Sequence, residues 1–423
     1  MKATIKSAWA SLAIFIGATT SVYGAETSQA ILDDSFRSLQ VTVEGYPFAP
    51  PVISLNNPAD HILISFDELA EDRSYLRYEL THCDARWQPE GLVDSEFLEG
   101  FNQGDVTDYD FSRSTTVHYI NYRITIPNEQ MAPLIAGNYL LRVYREDDPD
   151  TTLLRARFSV SDDTINLSGG VTTRTDIDTN SRHQQVEIVA DDSGRTVEDI
   201  FNDLKVIVVQ NRRADNAVTV THPLRVEGRR AVFEHLRPLI FDAGNEYRRM
   251  ETVSVNYRPM HVGEIVWADP LYHFVLETDT PRTFSPYSYD QTQHGRYFIR
   301  EYNSSQSDVE ADYGVVHFAL EMPQLKDADI YIDGDMTQRR FDPSSRMTYN
   351  SETGRYEAAL LLKQGAYNYQ YLAVRNGTAE GATGPVEGDK WETVNEYTVY
   401  VYHRPRGSRY DRLAGVTTIF SNK

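Results

Sequence analysis

The chain has a single cysteine, Cys83, in 423 residues. No intramolecular disulfide can form, so the folded state must rest on apolar burial and polar pairing. Long apolar runs are scarce as well. Past the N-terminus nothing approaches the roughly 18 uninterrupted apolar residues of a membrane-spanning helix. Positive charge is in deficit, with 41 Lys+Arg against 62 Asp+Glu and a net charge of −21. That balance argues against nucleic acid and anionic lipid as partners and leaves room for a protein with a basic patch. A Gly-x-Ser-x-Gly elbow, a phosphate-binding loop, a dinucleotide fingerprint and a zinc-type His/Cys spacing are all missing. Signals for helices are few.

What is present begins with an export signal. Lys2 and Lys6 precede a largely apolar stretch over 8–19, and Val22-Tyr23-Gly24 places small residues at −3 and −1 of a cleavage site. Residues 1–24 are therefore expected to be a signal peptide, and no cysteine follows to carry a lipid anchor. A large exported chain without disulfides suits a bacterial periplasm or surface. With 11% aromatic residues and 27 Tyr the chain has the material for a packed core, unlike a disordered acidic polymer.

Alternating apolar residues mark strands at 39–43, 61–66, 75–80, 119–126, 137–144 and 154–160, separated by clusters such as Asn56-Asn57-Pro58 and Asp147-Asp148-Pro149-Asp150. This cadence predicts an immunoglobulin-like β-sandwich over 25–162. Further strands are expected at 186–190, 205–210, 231–233, 251–255 and 272–276, with one short helical turn over 196–204. These form a middle β domain, 163–308, whose end is a long Pro/Tyr/Asn/Ser-rich connection from 279 onward. Strands at 315–320, 330–332, 355–360, 367–371 and 396–402 predict an early-set-like sandwich over 309–405, followed by a tail, 406–423. The fold class is all-β: tandem immunoglobulin-like and early-set β-sandwich domains.

Chemistry was sought first at His82-Cys83-Asp84. Neighbours on a strand point to opposite faces, and a thiol nucleophile needs its base within hydrogen-bond reach. Cys83 is accordingly read as a buried structural residue and Trp87 as a core or loop anchor. Asp176, Asp178, Asn180 and Glu187 space their oxygens like a calcium loop, yet Ser181 stands where the turn glycine belongs and no helices flank it. A polar hairpin loop is the better reading there, and a solvated turn for the cluster Glu146-Asp147-Asp148-Pro149-Asp150. No catalytic, cofactor or metal residues are assigned, and the chain reads as a non-enzyme.

The run His82-Cys83-Asp84-Ala85-Arg86-Trp87-Gln88-Pro89 through Ser95-Glu96-Phe97-Leu98-Glu99-Gly100-Phe101 resembles the type IX secretion system plug protein family of Bacteroidota. The resemblance continues through Asp108-Tyr109, Tyr122-Arg123, Pro127-Asn128, Gly137-Asn138-Tyr139 and Glu146-Asp147-Asp148-Pro149. Near the C-terminus it takes in 362–371, 392–397, Arg404 and Arg409-Tyr410-Asp411-Arg412-Leu413. It implies a periplasmic protein that binds the giant outer-membrane β-barrel translocon of that system and occludes its periplasmic opening when no substrate passes. No nucleic acid, membrane span, cofactor or small-molecule substrate is implied. The loop 87–109 is the expected contact surface, with Trp87, Phe97, Phe101 and Tyr109 as anchors, because interface energy concentrates in aromatic residues. An alternative is an exported carbohydrate-binding β-sandwich protein, since Tyr331-Ile332-Asp333-Gly334-Asp335-Met336 resembles glucan-binding early-set modules. The following loop, Met336 to Phe341, has no tryptophan to stack on a sugar ring.

Overall fold

The computed structural model describes residues 27–421. The expected signal peptide, 1–24, lies outside them. Strands dominate throughout, as the alternation predicts, and the apolar alternates turn inward to form three cores.

The N-terminal sandwich packs two antiparallel-dominated sheets. One runs in the order Ala30–Ile31, Leu154–Ser161, Gly137–Arg145, Leu76–Cys83, Gly104–Asp105, with Val52–Ser54 added parallel to Leu154–Ser161. The other runs Phe36–Val43, Ile62–Glu68, Ile120–Ile126, Asp108–Phe111. Phe36, Ile64, Phe66, Tyr122, Tyr139, Leu141 and Phe158 fill the space between them. Every strand predicted within 25–162 is present, with ends displaced by at most about three residues.

The remaining chain departs from its predicted sequential division. Strand Glu396–His403 pairs with Leu204–Gln210 across seven register positions, and Arg412–Phe420 pairs along Glu396–His403. The strand expected at 396–402 therefore belongs to the middle sandwich, and half of the expected tail, 406–423, is the strand Arg412–Phe420. Tyr397, Val399, Val401 and Ala414 sit in the core built by Val186, Ile188, Leu204, Val206 and Phe233. Nearly every residue of Glu396–His403 is buried, on both faces. A strand covered on both sides loses the polar alternate that would show which layer it joins. The predicted helical turn over 196–204 is also replaced by turns. Asp192 accepts hydrogen bonds from the backbone N–H of Thr196 and Val197, and Asp199 from those of Phe201 and Asn202, offering the backbone a competing set of partners.

The third unit is inserted into the middle one. Its first sheet runs Val262–Ala268, Leu271–Leu276, Tyr313–Glu321, Arg355–Lys363, Thr348–Asn350. Its second is centred on the long strand Gly365–Arg375, flanked by Arg248–Glu251, Tyr297–Ile299, Ala328–Asp333 and Gly381–Ala382. Tyr367, Tyr369 and Tyr371 alternate with polar residues and all face the core. Their hydroxyls are satisfied: Tyr369 and Tyr371 each donate to Asp279 Oδ2 at 2.8 Å, and Tyr367 donates to the Lys363 carbonyl.

Buried polar contacts hold the units together. Lys363 Nζ lies 2.7 Å from Asp67 Oδ2 with both side chains out of solvent, joining the third unit to the N-terminal sandwich. Asp67 also accepts from Tyr313 Oη at 2.6 Å and Asn121 Nδ2 at 2.8 Å, while Lys363 rests 4.1 Å above the Tyr119 ring. Between middle and third units Arg296 pairs with Glu396 at 2.8 Å and Arg212 with Asp335 at 3.1 Å. A buried pair that loses one partner leaves an uncompensated charge, typically costing about 3–5 kcal/mol. Lys363→Met is expected to lower the unfolding free energy by that order in urea titration. The double change Lys363→Met with Asp67→Asn should recover part of it.

Candidate partner surface and the joint behind it

The segment that carries the resemblance begins on a core strand and ends on the surface. Leu76–Cys83 brings His82 and Cys83 into the interior. Asp84 then caps the turn: its Oδ1 accepts from the N–H of Arg86 and of Gln88, both at 2.8 Å. Trp87 sits at φ 64°, a left-handed conformation uncommon for a bulky residue. The Asp84 turn and the Arg157 guanidinium, 4.4 Å from the Trp87 ring centroid, hold it there. Trp87 is half-buried under that cation.

Phe97 differs from its predicted role. It is 2% exposed, packs beside His82 and Tyr139, and anchors the short helix Asp94–Phe97 to the core. Phe101 is 82% exposed. Gly100, at φ 93°, makes the difference. A Cβ there would stand 1.9 Å from the Gln130 carbonyl oxygen, so only glycine lets the chain turn its next side chain outward. Tyr109 is half-buried on the edge strand Asp108–Phe111, with Arg73 4.7 Å from its ring and the half-exposed Phe111 against it. Trp87, Phe101 and Tyr109 thus keep surface, and Phe97 belongs to the core. Sequence reading missed other exposed aromatics, notably Phe284 in the connection after 279 and Tyr46 and Phe48 beyond the first strand. Their only signal was an aromatic inside a Pro/Gly/Ser-rich stretch.

Behind this surface, motifs far apart in the chain meet. His82 Nδ1 lies 2.8 Å from Glu90 Oε2. Glu90 Oε1 accepts from the Asp411 N–H at 2.9 Å and from Arg404 Nη2 at 2.5 Å. The Asp411 carboxylate, fully buried, takes Arg404 Nε at 2.7 Å, Lys205 Nζ at 3.0 Å and the Ala85 N–H at 3.1 Å. Burial works against the Asp411 charge, but the hydrogen bonds from Arg404, Ala85 and Lys205 outweigh it and hold the carboxyl below its usual range. Gly137 makes room for the His82 ring, since a Cβ there would lie 2.2 Å from His82 Nε2. Asn138 donates to the Asp84 carbonyl at 2.8 Å and accepts from Tyr402 Oη at 2.9 Å, linking the two sandwiches again. Tyr139 and Tyr410 meet the His82 ring edge-on. Arg409 pairs with Glu96 at the rim. The motifs at 82–101, 137–139 and 404–413 form one joint.

The other candidates are occupied by local pairing. Asp176 takes His235 at 2.8 Å and Asp178 takes His183 at 2.6 Å, the contacts of a polar loop. Among the described residues no group of three or more His, Cys, Asp or Glu is placed to enclose a metal ion, and no helix is long and apolar enough to cross a membrane. The loop from Met336 to Phe341, where a glucan platform would lie, is taken up by inter-unit contacts. Gln338 donates to the Leu39 carbonyl at 3.0 Å, and Arg339 is tied to Tyr247 Oη at 3.1 Å and to the His294 carbonyl at 2.6 Å.

Residues 36–162, the N-terminal sandwich, match the family model described as type 9 secretion system plug protein 1st domain. A solved structure, a hypothetical protein from Parabacteroides merdae, is 42% identical with a TM-score of 0.92, covering 93% of this chain and 99% of that one. The chain belongs to the type IX secretion system plug protein family. No curated protein matches it. The native α-2-macroglobulin fragment of Escherichia coli shares 10% identity over 46% of this chain and 96% of its own, with a TM-score of 0.14, too low to carry an argument. For this plug-family protein the match to the first-domain model covers the aromatic surface and the N-terminal side of the joint.

Two measurements follow from this geometry. Burial pushes the Cys83 thiol up to about 12, so the nucleophilic thiolate is scarce at neutral pH. A thiol reagent at pH 8 should leave native protein unmodified and label one thiol once urea unfolds it. A carboxyl with a lowered folded pKa stabilises the fold above its unfolded value, about 3.9, and that contribution fades as pH falls through the folded value. Asp411→Asn should therefore melt below the parent at pH 7, and the gap between their Tm values should close as pH drops below about 4.

Proposed function

We propose that this protein binds the giant outer-membrane β-barrel translocon of the type IX secretion system in the periplasm and occludes its periplasmic opening when no substrate passes. One observation carries the reading most: family motifs from both ends of the chain interlock in buried joints, making three sandwiches into one stiff body. A stopper for a wide pore needs a surface whose shape does not yield, and buried ion pairs between units supply that stiffness. The strongly acidic chain fits a partner lining with basic residues.

The contact surface we assign is the rim around Trp87, Phe101 and Tyr109. Each of these aromatics has charged neighbours, Arg86 beside Trp87, Glu99 near Phe101, and Arg73 and Asp108 beside Tyr109, the mix of apolar and polar groups that a reversible interface uses. Release is then a matter of separating a wet rim, without unfolding either partner.

Affinity purification of the tagged protein from outer membranes tests this directly. Recovery of a very large β-barrel subunit is expected. The double variant Phe101→Ala with Tyr109→Ala should lower that recovery about ten-fold or more while keeping its Tm, in line with hot-spot losses of about 2 kcal/mol. Full recovery by the folded double variant would move the contact elsewhere, and absence of any barrel from the parent's eluate would refute the plug role. Phe97→Ala should instead act on stability, by about 3–5 kcal/mol.

A further inference from the structure

The outer face of the third unit's first sheet carries two histidines that no step of the plug role uses. His273, on Leu271–Leu276, and His317, on Tyr313–Glu321, lie on parallel neighbouring strands in diagonal register, His273 opposite Val315 and Val275 opposite His317. Their rings lie side by side with planes 20° apart and centroids 5.0 Å apart, so that His273 Nδ1 faces His317 Nε2 at 2.7 Å. Both are partly open to solvent. Directly beside them on this face lie Val266, Val275, Val315, Ala359 and Leu361, with Glu264 and Glu357 one position further along the neighbouring strands.

Six of the eleven histidines are paired with a carboxylate: His61, His82, His118, His183, His235 and His261. His273 and His317 have only each other. Two imidazoles whose facing nitrogens stand 2.7 Å apart can both turn toward a borderline-soft divalent ion placed beside that line. Tetrahedral Zn–N bonds of about 2.0–2.1 Å set the two nitrogens roughly 3.3 Å apart, so the pair needs to open by only about 0.6 Å.

From this geometry we propose that His273 and His317 form a two-imidazole site for a divalent transition metal such as Zn²⁺ or Cu²⁺. On binding, the ring that donates the shared N–H takes its other tautomer, the proton passing through solvent to its far nitrogen, both facing nitrogens become ligands, and the remaining positions are filled by water. The site is open on one side, as expected of an ion held at a surface and unlike an enclosed structural centre.

Isothermal titration of the untagged, metal-stripped protein with ZnCl₂ tests the assignment, with MgCl₂ as the control for unspecific binding by the acidic surface. Saturable binding of one Zn²⁺ and none of Mg²⁺ at that stoichiometry is expected. His273→Gln and His317→Gln, checked by Tm for folding, should each weaken Zn²⁺ binding at least as much as the roughly 10–100-fold that loss of an outer-shell partner costs. Absence of saturable Zn²⁺ binding, equal binding by both variants, or loss in only one of them would overturn the site.

Discussion

Everything in this molecule hangs on burying charge between sandwiches and compensating it there. Lys363 and Asp67 stand 296 positions apart in the chain, and both are withdrawn from water at 2.7 Å. Desolvating two ions is expensive, and replacing such a pair with apolar groups is often neutral or stabilising. Stability alone is therefore a poor reason for it. Geometry is a better one: a buried ion pair with its remaining valences filled by Tyr313 and Asn121 permits one relative placement of the two units and penalises every other. The Glu90–Arg404–Asp411 cluster does the same between the N-terminal and middle sandwiches, and Arg296–Glu396 between the middle and third.

Function follows from that constraint. Three sandwiches on simple linkers would reorient by default, because interfaces between domains of one chain are commonly small and polar. Here the chain leaves the middle sandwich, builds the third and returns to complete the middle core with Glu396–His403 and Arg412–Phe420. Covalent re-entry and buried charge together remove the hinge. Under the proposed function, a body of this kind presents a fixed outline to the opening, with Trp87, Phe101 and Tyr109 among its proposed contacts.

Much of the fold could be read from residues. Period-two alternation located most of the long strands, because one face of each is buried and the other wet, but gave no sign of Asn166–Thr172, Val262–Ala268 or Arg412–Phe420. It found the strand at Glu396–His403 without the layer it joins, because both faces are buried, and at 196–204 Asp192 and Asp199 bind the backbone and suppress the expected helical turn. Candidate sites were less legible. Phe97 and Phe101 are both aromatic and four residues apart, and what separates core from surface is Gly100, whose left-handed backbone faces the Gln130 carbonyl. The role of Glu90 and Asp411 was invisible, since nothing in a sequence says that two acids 321 positions apart share a hydrogen bond. The His-Cys-Asp triplet that first invited a catalytic reading is where they meet, and its chemistry is that of a fastening.

Rigidity is the central claim, and scanning calorimetry of the full chain measures it most directly. If the buried joints weld the sandwiches into one body, the protein melts in one cooperative transition whose calorimetric and van't Hoff enthalpies agree. Separate transitions for the N-terminal sandwich and the remainder would contradict the account, showing that the joints hold position without coupling the units.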